Sequence, residues 1–569
     1  MPIGHSMSGK SKMRKKKKTS IKRSLLFAVG ILLIAAAADL FFFGSALENK
    51  QKESESSISQ EAESSGDAAK SENAVSADGS KDENAELEEE DNSEDSEGQS
   101  TLTGIRMLGM GDSLLCGHLE GNAASWFDAI GRKYDMVYYN FAVSGETVAY
   151  SDQAKAEHGA PSMVRRQEAI IEKVQNVDLI ILEGGTNDKG DDIPIGEDGD
   201  YQDTSFKGAL NIMIDRFQAA YPDALIVCMT PYRWTNGKTN NLGLTYNDYT
   251  QAMKEICSLQ GVLCFDNERN SSVDFGNDAY LQWADEGLSF GFADVNRHFN
   301  LKAQEKLQAV YENYLEEKLT EWKKTKTGEK KEEASSIADG TVSDSQNSSD
   351  PLSGKSIIAV GDGMISGHSL GEGFSWLSDI GIQHGMTYYN FGVNKSSIAY
   401  SDAAFADENL ALCRQYQTVL DIVPSADIVL IEGGMNDRNY NIPIGEQTDQ
   451  GDETFLGALN SLIDRYQAAY PEARILCMTP YHRNDVVNDL GLSDADYAAA
   501  MLSLCESRGI SCFNNYVLSG VDFTNSDYAS YADEGLYLGR EANQHFSPAA
   551  YANIESLYEE WLLSLYQGE

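Results

Sequence analysis

From Gly104 onward, short apolar runs alternate with stretches whose apolar positions recur at helical spacing. "IRMLGMG" (105–111), "MVYYN" (136–140), "DLIILEGG" (178–185), "ALIVCMT" (224–230) and "GVLCF" (261–265) read as buried strands. Between them lie amphipathic patterns such as "SFKGALNIMIDRFQAAY" (205–221), and a last helix is predicted from about Leu301 to Trp322. Short apolar strands alternating with helices predict a parallel sheet covered on both faces. The whole pattern then restarts. "YYNFAVSGETVAYSD" (138–152) returns as "YYNFGVNKSSIAYSD" (388–402), "ILEGGTND" (181–188) as "LIEGGMND" (430–437), and "VCMTPY" (227–232) as "LCMTPY" (476–481). An offset that stays between 247 and 250 over so long a stretch is the duplication of a whole domain, not a short solenoid repeat. Two α/β domains are therefore expected, at 103–322 and 354–567, joined by a linker at 323–353 whose composition suggests that they move independently.

The amino-terminal hundred residues follow another pattern. Residues 1–23 are basic, and 24–47, "SLLFAVGILLIAAAADLFFFGSAL", are apolar apart from Asp39. About 20 helical residues cross a bilayer core, so this run is long enough for an anchor with the basic flank in the cytoplasm. A cleavable signal peptide ending near Gly44 and Ala46 is the alternative; either way the remainder is exported, and is secreted if the segment is cleaved. Residues 48–102 read as an extended acidic tether: between Glu48 and Glu97 there are 18 acids and 4 lysines, too few apolar groups to fold. The formal net charge of −44 speaks against a nucleic-acid partner. The eight cysteines fall four to each half without a CxxC, so a zinc site of that type is not indicated and buried free thiols are expected.

Four residues of the first copy invite a chemical reading. Ser113, in "GDSLLCG", directly follows the first strand, at the carboxyl edge where open α/β sheets place ligands. Gly145 in "FAVSGET" and Asn187 in "GGTND" follow the second and third strands, and offer a close backbone N–H and an amide donor. His298, in "ADVNRHFN", precedes the final helix and can take a serine proton. Singly, each has an ordinary reading as helix cap, turn or structural histidine; their common order, three at successive strand ends and the fourth before the last helix, is the stronger signal. His118, five residues after Ser113, is expected on a following helix pointing elsewhere. Tyr232, Trp234 and Trp283 are placed either against sugar rings or in the core.

On these residues the first unit, about 103–322, resembles the SGNH hydrolases, also called the GDSL esterase/lipase family. The resemblance implies a three-layer α/β/α fold with a flavodoxin-like sheet. It implies a nucleophile at Ser113, a base at His298, and an oxyanion hole made by the N–H groups of Ser113 and Gly145 and the Asn187 amide. One departure stands out: the family places an Asp three residues before the His, where this chain has Val295, with Asp294 one position earlier. Asp294 reached through a bulge, Asp285 or Glu286 of "ADEGL", or a backbone carbonyl all remain open as the group that orients His298.

The second copy keeps Asn436 and His545, with Glu541 four residues ahead of the histidine, but has Gly363 at the nucleophile position and Lys395 where Gly145 stands. Ser366 aligns with Cys116, not Ser113. Copy two is thus expected to be a pseudo-enzyme, either a decayed duplicate or a module that binds without cutting, with Lys395 pairing an anion such as a carboxylate or Glu541. The function expected is a membrane-anchored extracellular serine esterase. It would need no metal or cofactor and would act on O-acetyl esters of a surface or extracellular polysaccharide. A lysophospholipase or short-chain lipase, and a non-catalytic glycan-binding adhesin, are the alternatives.

Overall fold

The computed structural model describes residues 100–566 apart from 153–161, 234–237, 272, 275–297, 334–349, 403–410, 484 and 524–544. The basic tail, the 24–47 segment and nearly all of the acidic tether lie outside the described residues. Among the described residues no helix is long and apolar enough to cross a membrane.

Strands form where the sequence alternates short apolar runs with turns. In the first domain they are β1 (Arg106–Met110), β2 (Val137–Asn140), β3 (Leu179–Glu183), β4 (Leu225–Met229) and β5 (Leu263–Phe265). All pairings are parallel, in the order β2-β1-β3-β4-β5, the flavodoxin-like winding. Every residue of β3 and β4 is buried, which is why they carry no polar face. Numbering only the longer helices, α1 (Trp126–Lys133), α2 (Met163–Lys173), α3 (Phe206–Ala220), α4 (Tyr246–Gln260) and α5 (Leu301–Glu333) complete the domain. Their ends follow local chemistry. Ser125 accepts from Phe127 N–H ahead of α1, and Thr245 and Asp248 form a capping box on α4, which Gly261 closes at φ 68°. Helix α5 runs past Trp322 through the lysine-rich run to Glu333.

The second domain repeats this arrangement. Strands β6 (Ser356–Gly361), β7 (Thr387–Gly392), β8 (Ile428–Glu432), β9 (Arg474–Met478) and β10 (Ser511–Phe513) form a parallel sheet in the order β10-β9-β8-β6-β7. Helices α6 (Trp376–His384), α7 (Leu412–Ile422), α8 (Phe455–Ala469), α9 (Asp494–Arg508) and α10 (Pro548–Ser564) accompany it. All eight cysteines are unpaired thiols, six of them buried.

The two domains are not independent. Ser96–Glu569 is one compact unit, and a single apolar cluster draws side chains from both sheets. The edge strands β2 and β7 face one another, with the Tyr138 and Tyr388 rings stacked at 5.2 Å and Tyr388 donating to the Tyr138 carbonyl at 3.2 Å. The contacts come in pairs related by the duplication. A Cβ on Gly121 would lie 3.0 Å from Phe391 Cα, and one on Gly371 would lie 2.8 Å from Phe141 Cα. Polar contacts add to this: Asn122 donates to Glu372 at 3.0 Å, Lys173 pairs with Asp379 at 2.7 Å, and Thr418 donates to Glu120 at 2.9 Å. The expectation of freely moving domains is therefore overturned. It rested on the linker's composition, which carries no information about the apolar strand edges.

Candidate active site

Parallel strands bring their carboxyl ends to one edge, and the predicted residues of the first copy meet there. The chain leaves β1 through Gly111 and Asp112. The Asp112 carboxylate accepts from Leu114 N–H at 2.9 Å and its carbonyl from Leu115 and Cys116, a tight turn that presents Ser113. The Ser113 Oγ lies 2.9 Å from His298 Nε2. Ser113 is withdrawn from water, 7% exposed, and His298 is half-buried. Burial, with a smaller contribution from the neighbouring His118, holds the His298 pKa well below its ordinary value. The imidazole is therefore neutral at physiological pH and can accept the serine proton.

His118 does not point away. Gly117 at φ 79° turns the chain back, and His118 opens a short 3-10 turn, His118–Glu120. Its ring stacks on His298 at 3.5 Å and 15°, and its Nδ1 lies 3.1 Å from Ser144 Oγ. The expectation that a following helix points His118 elsewhere is not met, because Gly117 and Gly121 turn the chain back; burial pushes the His118 pKa down to about 4.

Gly145 sits at φ 78°, the left-handed region that favours glycine. Asn187 lies in the helical turn Thr186–Gly190 after β3; its amide donates to the Glu146 carbonyl at 2.9 Å and, at a long 3.3 Å, to Asp112. The next residue is structural: Asp188 accepts from the N–H groups of Val148 and Ala149 at 2.9 and 3.0 Å, tying the Gly145 loop to the Asn187 turn. Two supports were not anticipated. Glu183, the last residue of β3, is buried against Asp112, and burial together with the Asp112 charge raises its pKa well above the usual carboxylate range. Arg166, fully buried, pairs with Glu146 at 2.6 Å. Arg-Arg in α2 and Glu in "GET" were visible in the sequence but not their proximity.

Asp294, Asp285, Glu286 and Val295 lie outside the described residues, as do Trp234, Trp283 and Glu541. Tyr232 belongs to the core: it is 1% exposed and its hydroxyl lies 2.7 Å from that of Tyr311, so it offers no face to a sugar.

A Ser–His pair at a strand's carboxyl end, beside a positive-φ glycine and an asparagine amide, is an arrangement for acyl transfer. A family model described as GDSL-like lipase/acylhydrolase matches residues 110–306 and again 356–552. The chain belongs to the GDSL-like lipase/acylhydrolase family. It is a serine ester hydrolase by that membership. No curated protein matches it. Among solved structures, a protein from Lactobacillus plantarum is 22% identical over 38% of this chain and 99% of its own, with a TM-score of 0.33. Est24, a carbohydrate acetylesterase from Sinorhizobium meliloti, is 13% identical over 37% and 100%, with a TM-score of 0.29.

Both halves of this GDSL-like hydrolase keep one scaffold. In the second, His368 stacks on His545 at 3.4 Å and 11°, and Asn436 donates at 2.9 Å to Asp362 and to the Ser396 carbonyl. Lys395 holds the Gly145 position at φ 67°, so the backbone conformation survives the exchange of side chain. At Gly363 no hydroxyl faces His545; an added Cβ would lie 3.5 Å from His545 Cδ2. Ser366 Oγ bonds instead to the Gly363 carbonyl at 3.4 Å.

Proposed function

We propose that the first domain hydrolyses carboxylic esters through an acyl-Ser113 intermediate, and that its substrate is an O-acetylated glycan outside the cell membrane. The observation that carries the chemistry is the 2.9 Å contact between Ser113 Oγ and His298 Nε2. His298 Nε2 takes the Ser113 proton as Oγ attacks the ester carbonyl. The N–H groups of Ser113 and Gly145 and the Asn187 amide receive the developing oxyanion, Asn187 giving up its long contact to Asp112. Collapse of the tetrahedral intermediate expels the alcohol, which takes the proton from His298. Water, deprotonated by the same imidazole, then releases the acid. Asp294 is the carboxylate we assign to orienting His298.

The location is read from the sequence. The basic segment 1–23, the apolar run 24–47 and the acidic tether support an anchored, exported enzyme whose two domains lie outside, or a secreted one if the apolar run is removed. A tethered enzyme meets a surface polymer more readily than bulk lipid, which favours a glycan ester over a lysophospholipid.

The test is carboxylic-acid release by the purified full-length chain from p-nitrophenyl acetate, O-acetylated xylan and a lysophospholipid (acetate from the first two, fatty acid from the third), each against Ser113→Ala. Ser113-dependent turnover of the two acetyl esters is expected. No Ser113-dependent turnover of any of the three esters would refute the mechanism and leave a glycan-binding role; turnover of the lysophospholipid alone would refute the substrate class.

A further inference from the structure

The segment that carries His118 has little frame of its own. Between Gly117 at φ 79° and Ser125 it makes two 3-10 turns, His118–Glu120 and Asn122–Ala124, with Gly121 at φ 86° between them. Turns of three residues close few backbone hydrogen bonds, so what grips the segment decides where it lies. Arg132 of α1 donates to the Ala123 carbonyl, and Glu372 of the second domain accepts from the Asn122 amide at 3.0 Å.

The Glu372 carboxyl is fully buried, and so is that of Asp128 in α1 beside it. Glu372 Oε1 and Asp128 Oδ2 receive no N–H from the described residues; the two carboxyls are hydrogen-bonded to one another instead. Such a bond needs a proton on one of them, because ionised carboxylates only accept. The groups facing the pair balance one negative charge and no more. Arg132 lies 3.9 Å from Asp128, with the Tyr389 ring against its guanidinium. Tyr138 of β2 and Tyr388 of β7 also face the pair, and burial keeps both phenols neutral. Asn140 donates to Asp128 at 2.8 Å, which places the charge on Asp128 and the proton on Glu372. Burial and the Asp128 charge raise the Glu372 pKa well above the carboxylate range.

Docking alone does not need this cluster. Aligning the copies sets Asn122 against Glu372 itself, Asp128 against Ser378 and Arg132 against Ile382. The reciprocal place, beside the segment of His368, therefore holds a hydroxyl and an aliphatic chain, and Ser378 bonds to the carbonyls of Glu372 and Ser375 at 2.9 Å. The buried charges stand on the side of the first domain's His118 segment. We propose that Glu372 is a positioning residue for the reaction in the first domain: as a neutral acid bridging Asn122 and Asp128, it holds the segment that sets His118 against His298. This role rests on the acyl-Ser113 reading.

The test is p-nitrophenyl acetate hydrolysis by the purified full-length chain from about pH 5 to about pH 9, with the melting temperature followed over the same range. Ser113-dependent turnover in the parent comes first; without it the esterase reading fails and this role fails with it. Glu372→Leu removes both hydrogen bonds at nearly the same size. It should lower kcat by about tenfold or more, since a displacement of about 1 Å near the chemistry can cost about 10²-fold. It should also move the acid limb of kcat/KM upward, as water reaches His298, and add little to His118→Ala, through which it acts. Glu372→Gln keeps an acceptor for Asn122 and a donor for Asp128 without a titrating group, so its kcat and acid limb should match the parent's. The parent holds a proton that the unfolded chain releases above about pH 4.3, so its stability falls as pH rises toward the folded value. The melting temperature of Glu372→Gln should therefore gain on the parent's as pH rises. A Glu372→Leu variant with the parent's kcat and acid limb, a Glu372→Gln variant as impaired as Glu372→Leu, or a gap in melting temperature constant with pH would overturn the role. Should Glu372→Leu not fold, Glu372→Asp, which draws the acid back by one methylene, is read in its place with the same outcomes.

Discussion

Arg166 is the point where stability, the domain interface and the first active site meet. Its guanidinium is fully buried. It donates to Glu146 at 2.9 and 2.6 Å, to the Leu370 carbonyl of the second domain at 2.5 Å, and to the Phe141 carbonyl. Replacing it by Gln leaves Glu146 buried without its counter-charge, a change that typically costs about 3–5 kcal/mol when the remaining group stays ionised. Glu146 has a way to lower that cost. Burial lifts its pKa to about 7 even with Arg166 beside it, so at pH 6 it is largely protonated already. Removing Arg166 raises that pKa further. A folded-state pKa above the unfolded one contributes stability that is present at low pH and lost as pH rises through the folded value. In the parent the loss ends near pH 7; in Arg166→Gln it continues, by about 1.4 kcal/mol per pH unit. The variant's deficit should therefore be about 2 kcal/mol larger at pH 8.5 than at pH 7, read by chemical denaturation at both. The second domain supplies the control, because it carries Gln415 and Ser396 at the two positions, with Gln415 donating to the Phe391 carbonyl at 3.3 Å. Arg166→Gln with Glu146→Ser should lose the extra pH dependence. A deficit equal at both pH values, or a double variant as pH-sensitive as the single one, would refute the account.

Asn187→Ala should lower kcat by about 10²–10³ with KM little changed, since the amide acts on the oxyanion rather than on the ground state; steady-state kinetics on p-nitrophenyl acetate checks it. The parent should stay active below pH 6.5, because burial and His118 keep His298 unprotonated there. In His118→Ala, water reaches the ring and the acid limb of the kcat/KM profile should move up toward pH 6.5, whereas His118→Phe, which keeps the stacking, should restore it; identical profiles for all three would exclude this positioning role. Gly371→Ala places a Cβ 2.8–3.1 Å from the backbone of Phe141 at φ 85°, so it should destabilise domain docking by on the order of 3 kcal/mol and depress turnover with it, visible as a lowered melting temperature and a parallel loss of esterase activity.

The sheets were legible because strands buried on both faces leave uninterrupted apolar runs, as in Leu179–Glu183, and each predicted run appears within a residue or two of its place. Ser113, Gly145 and Asn187 were legible because parallel winding forces residues after successive strands to one edge, and His298 by its place directly before the last helix. What escaped had no local signal. Tyr138, Phe141 and Phe391 read as ordinary core residues, and nothing in a single strand says that its edge is covered by a second domain. The Asp112–Glu183 and Arg166–Glu146 partnerships join residues distant in sequence. His118 was misplaced because a helix was expected to follow Ser113, where Gly117 and Gly121 turn the chain back instead. The buried pair of Arg483 and Asp494 did leave a trace, the exchange of Trp234 and Tyr246 of the first copy for these two residues, but only the folded chain shows that their side chains meet.

The duplication explains how one copy can be inactive without being idle. Contacts across the interface are reciprocal, Gly121 against Phe391 and Gly371 against Phe141, the relation expected between two identical subunits of a symmetric pair. The segment that follows each nucleophile position thus lies against the other domain's edge strand. In the first domain that segment, from Gly117 to Ser125, carries His118, which stacks on His298. The second domain therefore shapes the active site of the first through residues such as Glu372, Phe374 and Phe391. None of these lines the second-domain cleft at His545, so Gly363, Lys395 and Arg483 can differ from the catalytic set without disturbing that support. A fused pair can change the chemistry of its second cleft where a homodimer, obliged to change both sites at once, would lose its activity.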